Sequence, residues 1–233
     1  MKRTLPGAFT SVATILLLSL SANPAAAAEL RDPQVPLDGA SLQAFLDGAG
    51  ESIDVATDQM DVQNWATTVS GNSTFTVMIE LSASAGANTI GIYNGDLAVP
   101  NPPRFPVFPD YAELGWHALA HFADGGLTVT LFHADGTYQG QTMYAGVDAT
   151  RFGFYLEGTE GTFFTQDVRN GFRAQALAYQ GSGVNLGQWW MCWEDSAYDT
   201  GDRDFDDCVI FLESVSPVSV DAETWAGIKT LFR

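Results

Sequence analysis

Residues 194–207 carry seven carboxylates and one cation in fourteen positions. They stand between two apolar runs, Gln188-Trp189-Trp190-Met191-Cys192-Trp193 and Cys208-Val209-Ile210-Phe211-Leu212. Both runs are short, continuous and rich in aromatic or β-branched residues, the signature of strands buried in a core. The stretch between them is too polar to join that core, so the pattern predicts a β-hairpin with an acidic tip pinned at both ends. Carboxylates at this density persist only if water solvates them or a bound cation holds them.

The rest of the chain repeats the strand signal. Ser73–Leu81, Thr89–Tyr93, Leu127–Phe132, Tyr138–Tyr144, Phe152–Leu156 and Phe172–Tyr179 are rich in β-formers and separated by Gly-containing turns such as Asn94-Gly95 and Asp135-Gly136. Short strands at regular spacing predict an all-β fold, an antiparallel β-sandwich of jelly-roll-like type. Five prolines between 99 and 110 predict a loop of polyproline character there. Two short helices are expected. One spans Ser41–Asp47, with Leu42, Phe45 and Leu46 on one face; the other lies in Asp221–Arg233, with Trp225, Ile228 and Leu231 at intervals of three.

The first residues have the form of a secretory signal peptide. Lys2 and Arg3 precede an apolar run from Val12 to Leu20, and small residues end at Ala28. The expected layout is a signal peptide at 1–28, a lead-in at 29–40, a β-sandwich domain at 41–216 and a tail at 217–233. Cleavage after Ala28 removes two of the ten basic residues and none of the 28 acidic ones, leaving a net charge of −20. Such a chain disfavours nucleic acid and anionic membrane surfaces and favours divalent cations. The apolar run is too short to span a bilayer, and no later stretch is long enough. Export into oxidising surroundings, with Cys192 and Cys208 on the two hairpin arms, predicts a disulfide between them.

Several segments occur in a telling order: Asn88-Thr89-Ile90-Gly91-Ile92-Tyr93, Phe152-Gly153-Phe154-Tyr155-Leu156, Gly161-Thr162-Phe163-Phe164, Trp193-Glu194-Asp195, and Asp202-Arg203-Asp204-Phe205-Asp206-Asp207. Together, over about residues 75–215, they resemble the secreted bacterial domain-of-unknown-function family 4114. Its signature looks like W-E-D, a short loop, then D-x-D-[FY]-[ND]-D and an apolar strand. The resemblance implies an extracellular β-sandwich with calcium at the acidic loop. It carries over Glu194, Asp195, Asp202, Asp204 and Asp207, with Asp206 where many members have Asn. Many members also end in a sorting tag. Residues 224–233 differ from it and look like a short terminal motif of other exported bacterial proteins.

Read from the residues alone, loop carboxylates suit calcium, which takes six to eight oxygens in irregular geometry, whereas zinc would want His or thiolates. A helix–loop–helix calcium site fails. Asp202, Asp204, Asp206 and Glu213 fall at its first, third, fifth and twelfth positions, but Asp207 occupies the sixth, which needs Gly, and an apolar strand follows. Glu194 and Asp207 facing each other across the hairpin would be a candidate pair for glycoside hydrolysis. Trp189, Trp190 and Trp193 are candidates to stack on sugar rings; they alternate in direction, so one set is core and the other is available to a ligand. His117, His121 and His133 are scattered, and no nucleophile or phosphate-loop motif occurs. The expectation is a secreted, calcium-binding, non-enzymatic β-sandwich module whose partner is an extracellular glycan or surface protein. The alternatives are a carbohydrate-binding module and a glycoside-active enzyme.

Overall fold

The computed structural model describes residues 28–68, 70–80 and 87–218. In chain order its helix and strands are α1 (Ala40–Gly48), β1 (Trp65–Thr67), β2 (Asn72–Glu80), β3 (Thr89–Asn94), β4 (Arg104–Phe108), β5 (His117–Ala123), β6 (Gly126–Phe132), β7 (Tyr138–Ala145), β8 (Phe152–Gly158), β9 (Gly161–Phe164), β10 (Ala176–Gln180), β11 (Trp189–Trp193), β12 (Cys208–Glu213) and β13 (Val215–Pro217). They form two antiparallel sheets, one in the order β13-β1-β8-β3-β4 with β9 beside β8, the other β10-β11-β12-β2-β5-β6-β7. The fold is thus an all-β sandwich with a short helix. The signal peptide (1–27 of its 28 residues) and the C-terminal helix lie outside the described residues.

The sheets close on each other through their alternating inward faces. Trp65, Ile92, Phe152 and Phe154 from one meet Phe75, Val129, Met191 and Ile210 from the other. A second core lies outside the seven-stranded sheet. There α1 lays Leu42 and Leu46, followed by Ile53 and Val55, over Leu177, Tyr179, Trp190, Cys192 and Val209. The lead-in is tied to the same surface. The Gln59 amide, fully buried, accepts from Val35 N at 2.7 Å and donates to Val35 O at 3.0 Å, and Arg31 pairs with Asp167 at 2.6 Å.

Residues 99–110 depart from the expected loop, because Arg104–Phe108 forms β4. Its position at the sheet edge explains how Pro106 is tolerated, since an edge strand can spare an N–H. The strand expected at Phe172 begins instead at Ala176; Phe172 has φ 65° and is exposed, which takes it out of extended geometry.

The second core also corrects two expectations. Along β11, Trp189, Met191 and Trp193 enter the core between the sheets, and Trp190 and Cys192 enter the core under α1. All three tryptophans are buried, at 3 %, 2 % and 0 % exposure, so none presents a ring face to a sugar. Nor does a disulfide join Cys192 and Cys208. The hairpin pairs Trp193 with Cys208 and Cys192 with Val209. The two cysteines are offset by one position, and side chains one position apart face opposite sides of a sheet. Burial also drives the Cys192 thiol well above its ordinary pKa, with the nearby Asp206 charge adding to the shift. Both thiols should therefore resist a thiol reagent in the native protein and react on unfolding, and a reducing agent should leave the melting temperature unchanged. A stoichiometric thiol titration before and after denaturation checks this.

Candidate metal centre

The register Trp193↔Cys208 makes residues 194–207 the excursion that closes the β11–β12 hairpin. Its return half is anchored by Phe205, which inserts into the core beneath α1 with 0 % exposure. Arg203 and Phe205 both adopt left-handed backbone, φ 60° and 58°. Two such residues around Asp204 are costly for non-glycine side chains and persist because packing holds them. Here the Phe205 ring supplies that packing, and Asp38 N donates to Arg203 O at 3.0 Å.

This backbone brings three carboxylates together. Glu194, Asp204 and Asp207 each offer an oxygen, and these oxygens all lie within 4.8 Å of one another. Backbone donors orient each group: Arg203 N to Glu194 Oε2 at 2.8 Å, Asp206 N to Asp204 Oδ1 at 3.2 Å, and Asp195 N to Asp207 Oδ2 at 2.8 Å. Gly201 packs directly on the Glu194 carboxylate, and a side chain at that position would collide with it. Glu194 is itself 1 % exposed.

Grouping anions out of water raises their proton affinity. Burial first, then the charges of Asp202 and Asp204, push Glu194 up to about 7. Burial, with Asp206 and Asp202 adding, takes Asp204 to about 6. Burial, then Asp195, Glu194 and Asp204, takes Asp207 to about 8. Among the described residues the ion pairs are Arg31–Asp167 and Arg104–Glu157, both away from this cluster. The nearest arginine in sequence, Arg203, lies over the Tyr198 ring at 5.6 Å. Among the described residues no ion pair neutralises the trio, and its donors are all hard oxygens, which suits a cation such as calcium.

The other three acidic residues expected at the site border this trio without joining the group of oxygens within 4.8 Å. Asp195 is buried and accepts from Asn88 Nδ2 at 2.9 Å, Asp206 is buried, and Asp202 is exposed. Asn88 is a member of the site's surroundings that composition did not reveal; its signal was its place at the head of the first segment in the family resemblance. The histidines do not converge on a metal-binding cluster. His117 stacks on Phe132 at 5.2 Å, His121 bonds Asn72 Oδ1 at 2.7 Å, and His133 bonds Gln139 Oε1 at 2.7 Å. Among the described residues no helix is long and apolar enough to cross a membrane. No protein-family model matches this chain and no curated protein matches it, so the resemblance to the 4114 family rests on the quoted residues alone.

Proposed function

We propose that this protein is a secreted, calcium-stabilised β-sandwich module with a non-catalytic binding or structural role at a cell surface. The observation that carries the reading is the trio Glu194, Asp204 and Asp207, with oxygens within 4.8 Å and, among the described residues, no ion pair to any of them. These three residues would hold the ion, and main-chain carbonyls or water would complete the six to eight oxygens calcium takes. When bound, calcium would supply positive charge directly between carboxylates that no ion pair reaches among the described residues. It would fasten the two ends of the excursion, Glu194 at the start and Asp204 and Asp207 at the return. The leader pattern and the family resemblance support export and calcium.

Burial supports a structural rather than a catalytic trio. Glu194 and Asp207 stand close enough for paired carboxylate chemistry. A glycosidic oxygen would still have to reach Glu194, which is 1 % exposed behind Gly201 and the backbone of Arg203. Calorimetric titration of chelator-stripped protein tests the reading. Calcium should bind at one site per chain, magnesium at least about tenfold more weakly because it demands regular octahedral geometry and gives up water reluctantly, and Asp204→Ala should remove the calcium signal. Absence of calcium binding in folded wild-type protein would overturn it.

A further inference from the structure

A sheet edge exposes a row of unpaired backbone N–H and C=O groups, and proteins blunt such edges with proline, charge, brevity or a covering segment. Four of the five edges here are blunted. β13 is three residues long and ends on Pro217, and β4 carries Arg104 and Pro106. β9 is four residues long, and the Asn170 side chain accepts from Phe164 N at 2.9 Å and donates to Phe164 O at 2.6 Å. β10 is covered by Met60, which bridges to Ala178 with Met60 N donating to Ala178 O at 2.8 Å. The fifth edge is β7, Tyr138-Gln139-Gly140-Gln141-Thr142-Met143-Tyr144-Ala145. It has eight residues, no proline and no charge, and among the described residues no strand pairs with its outer side. At the usual rise it offers about 27 Å of open backbone. Met143 is 76 % exposed.

Charge indicates what fits this edge. The chain carries a formal net charge of −18, so two copies repel wherever carboxylates meet. On β7 that obstacle is absent, and no carboxylate interrupts the adjoining outer face formed by Leu119, His121, Thr128 and Thr130. A basic partner would be drawn to the acidic hairpin instead. Antiparallel pairing about a two-fold axis presents the same uncharged row to itself, the self-complementary contact of a symmetric dimer. We propose that β7 is the pairing edge of such a dimer, in which two copies join their seven-stranded sheets into one continuous antiparallel sheet.

Sedimentation of the purified protein from about 5 to about 500 µM, a range suited to a small interface, should show mass rising from monomer to dimer. Raising NaCl from about 50 to about 500 mM should tighten the dimer at least about threefold, because salt screens the net repulsion while backbone pairing is neutral. Met143→Glu and the double variant Gln141→Glu/Met143→Glu should weaken it at least about tenfold by placing like charges together at the edge. At the dilute end of the range, where wild type is monomeric, their melting temperatures should match wild type, since Met143 is 76 % exposed. In wild type, amide exchange across 138–145 should slow as concentration rises, a readout that needs no variant. A monomer across the whole range overturns the proposal, as does a dimer undiminished in the folded double variant or exchange protection that leaves β7 unchanged. Occupation of the edge by a segment of the same chain or by a different protein's peptide would appear as the first of these.

Discussion

Saturating calcium should raise the melting temperature of chelator-stripped protein by about 5–10 °C. Ligand at a hundred times its dissociation constant adds about 2.7 kcal/mol of stability, and a domain of this size gains about 2–4 °C per kcal/mol. The trio makes the effect depend on pH in a defined direction. Glu194, Asp204 and Asp207 hold their protons up to about 7, 6 and 8 in the folded chain. Unfolded carboxyls lose theirs near pH 4. Folding therefore takes up protons across this interval, and the calcium-free protein loses stability as pH rises from about 4 to about 8. The calcium increment should grow over the same interval, because the ion displaces those protons. Asp207→Asn sharpens the test. The amide oxygen can still accept from Asp195 N, so the loop geometry has its anchor, but one negative charge is gone. The variant should melt higher than wild type without calcium and show no increment with it. Thermal unfolding of both proteins at pH 5 and pH 8, with calcium and with chelator, measures each of these effects. A calcium response equal in wild type and Asp207→Asn would remove the trio as the site.

Replacing Glu51 by Ala should destabilise the protein by about 2–4 kcal/mol, since one buried and three half-buried donors would lose a charged acceptor at once. Glu51 follows α1 and is 7 % exposed. One of its oxygens accepts from Trp190 Nε1 at 2.7 Å and Asn185 Nδ2 at 2.6 Å; the other accepts from Ser182 N at 2.6 Å and Ser182 Oγ at 2.7 Å. It thereby ties the helical layer to the β10–β11 connection. Glu51→Gln should be nearly as damaging, because its NH₂ group would face donors on whichever side it lay. Burial pushes the Glu51 pKa up, but the hydrogen bonds from Asn185, Ser182 and Trp190 together outweigh it and hold the group below its ordinary 4.5. Its stabilising contribution is complete above that pH and is lost as acid carries the solution through the folded-state pKa. The difference between wild type and Glu51→Ala in urea unfolding should accordingly be large at pH 7 and shrink in strong acid. A difference below about 1 kcal/mol at pH 7 would mean that these donors find water or other partners.

Most strands were legible because each declares itself locally. The alternation along β5 and β6 and the apolar runs of β8, β11 and β12 reflect burial of one sheet face or of both. β4 was obscured because proline opposes a strand in general but not at an edge, and edge position is a property of the assembled sheet. Glu51 carried no signal at all. A single Glu after a short helix looks like surface, and its acceptors' partners, Ser182, Asn185 and Trp190, stand more than a hundred residues away in the chain.

For the acidic hairpin the division is sharper. The sequence alone determined that residues 194–207 would be a carboxylate-rich tip between two buried strands, because residue type decides what can leave water. It could not select Glu194, Asp204 and Asp207 from the six acidic residues expected at the site. That selection depends on left-handed backbone at Arg203 and Phe205, imposed by a core that Phe205 enters from the far side of the sheet. Tertiary structure likewise decided the fate of the flanking residues. A register of Trp193 on Cys208 set the two cysteines on opposite faces, and the layer under α1 buried Trp190, the tryptophan that a two-layer sandwich would have left outside. Local pattern reports which residues must be buried; only the packed chain reports which face, and against what.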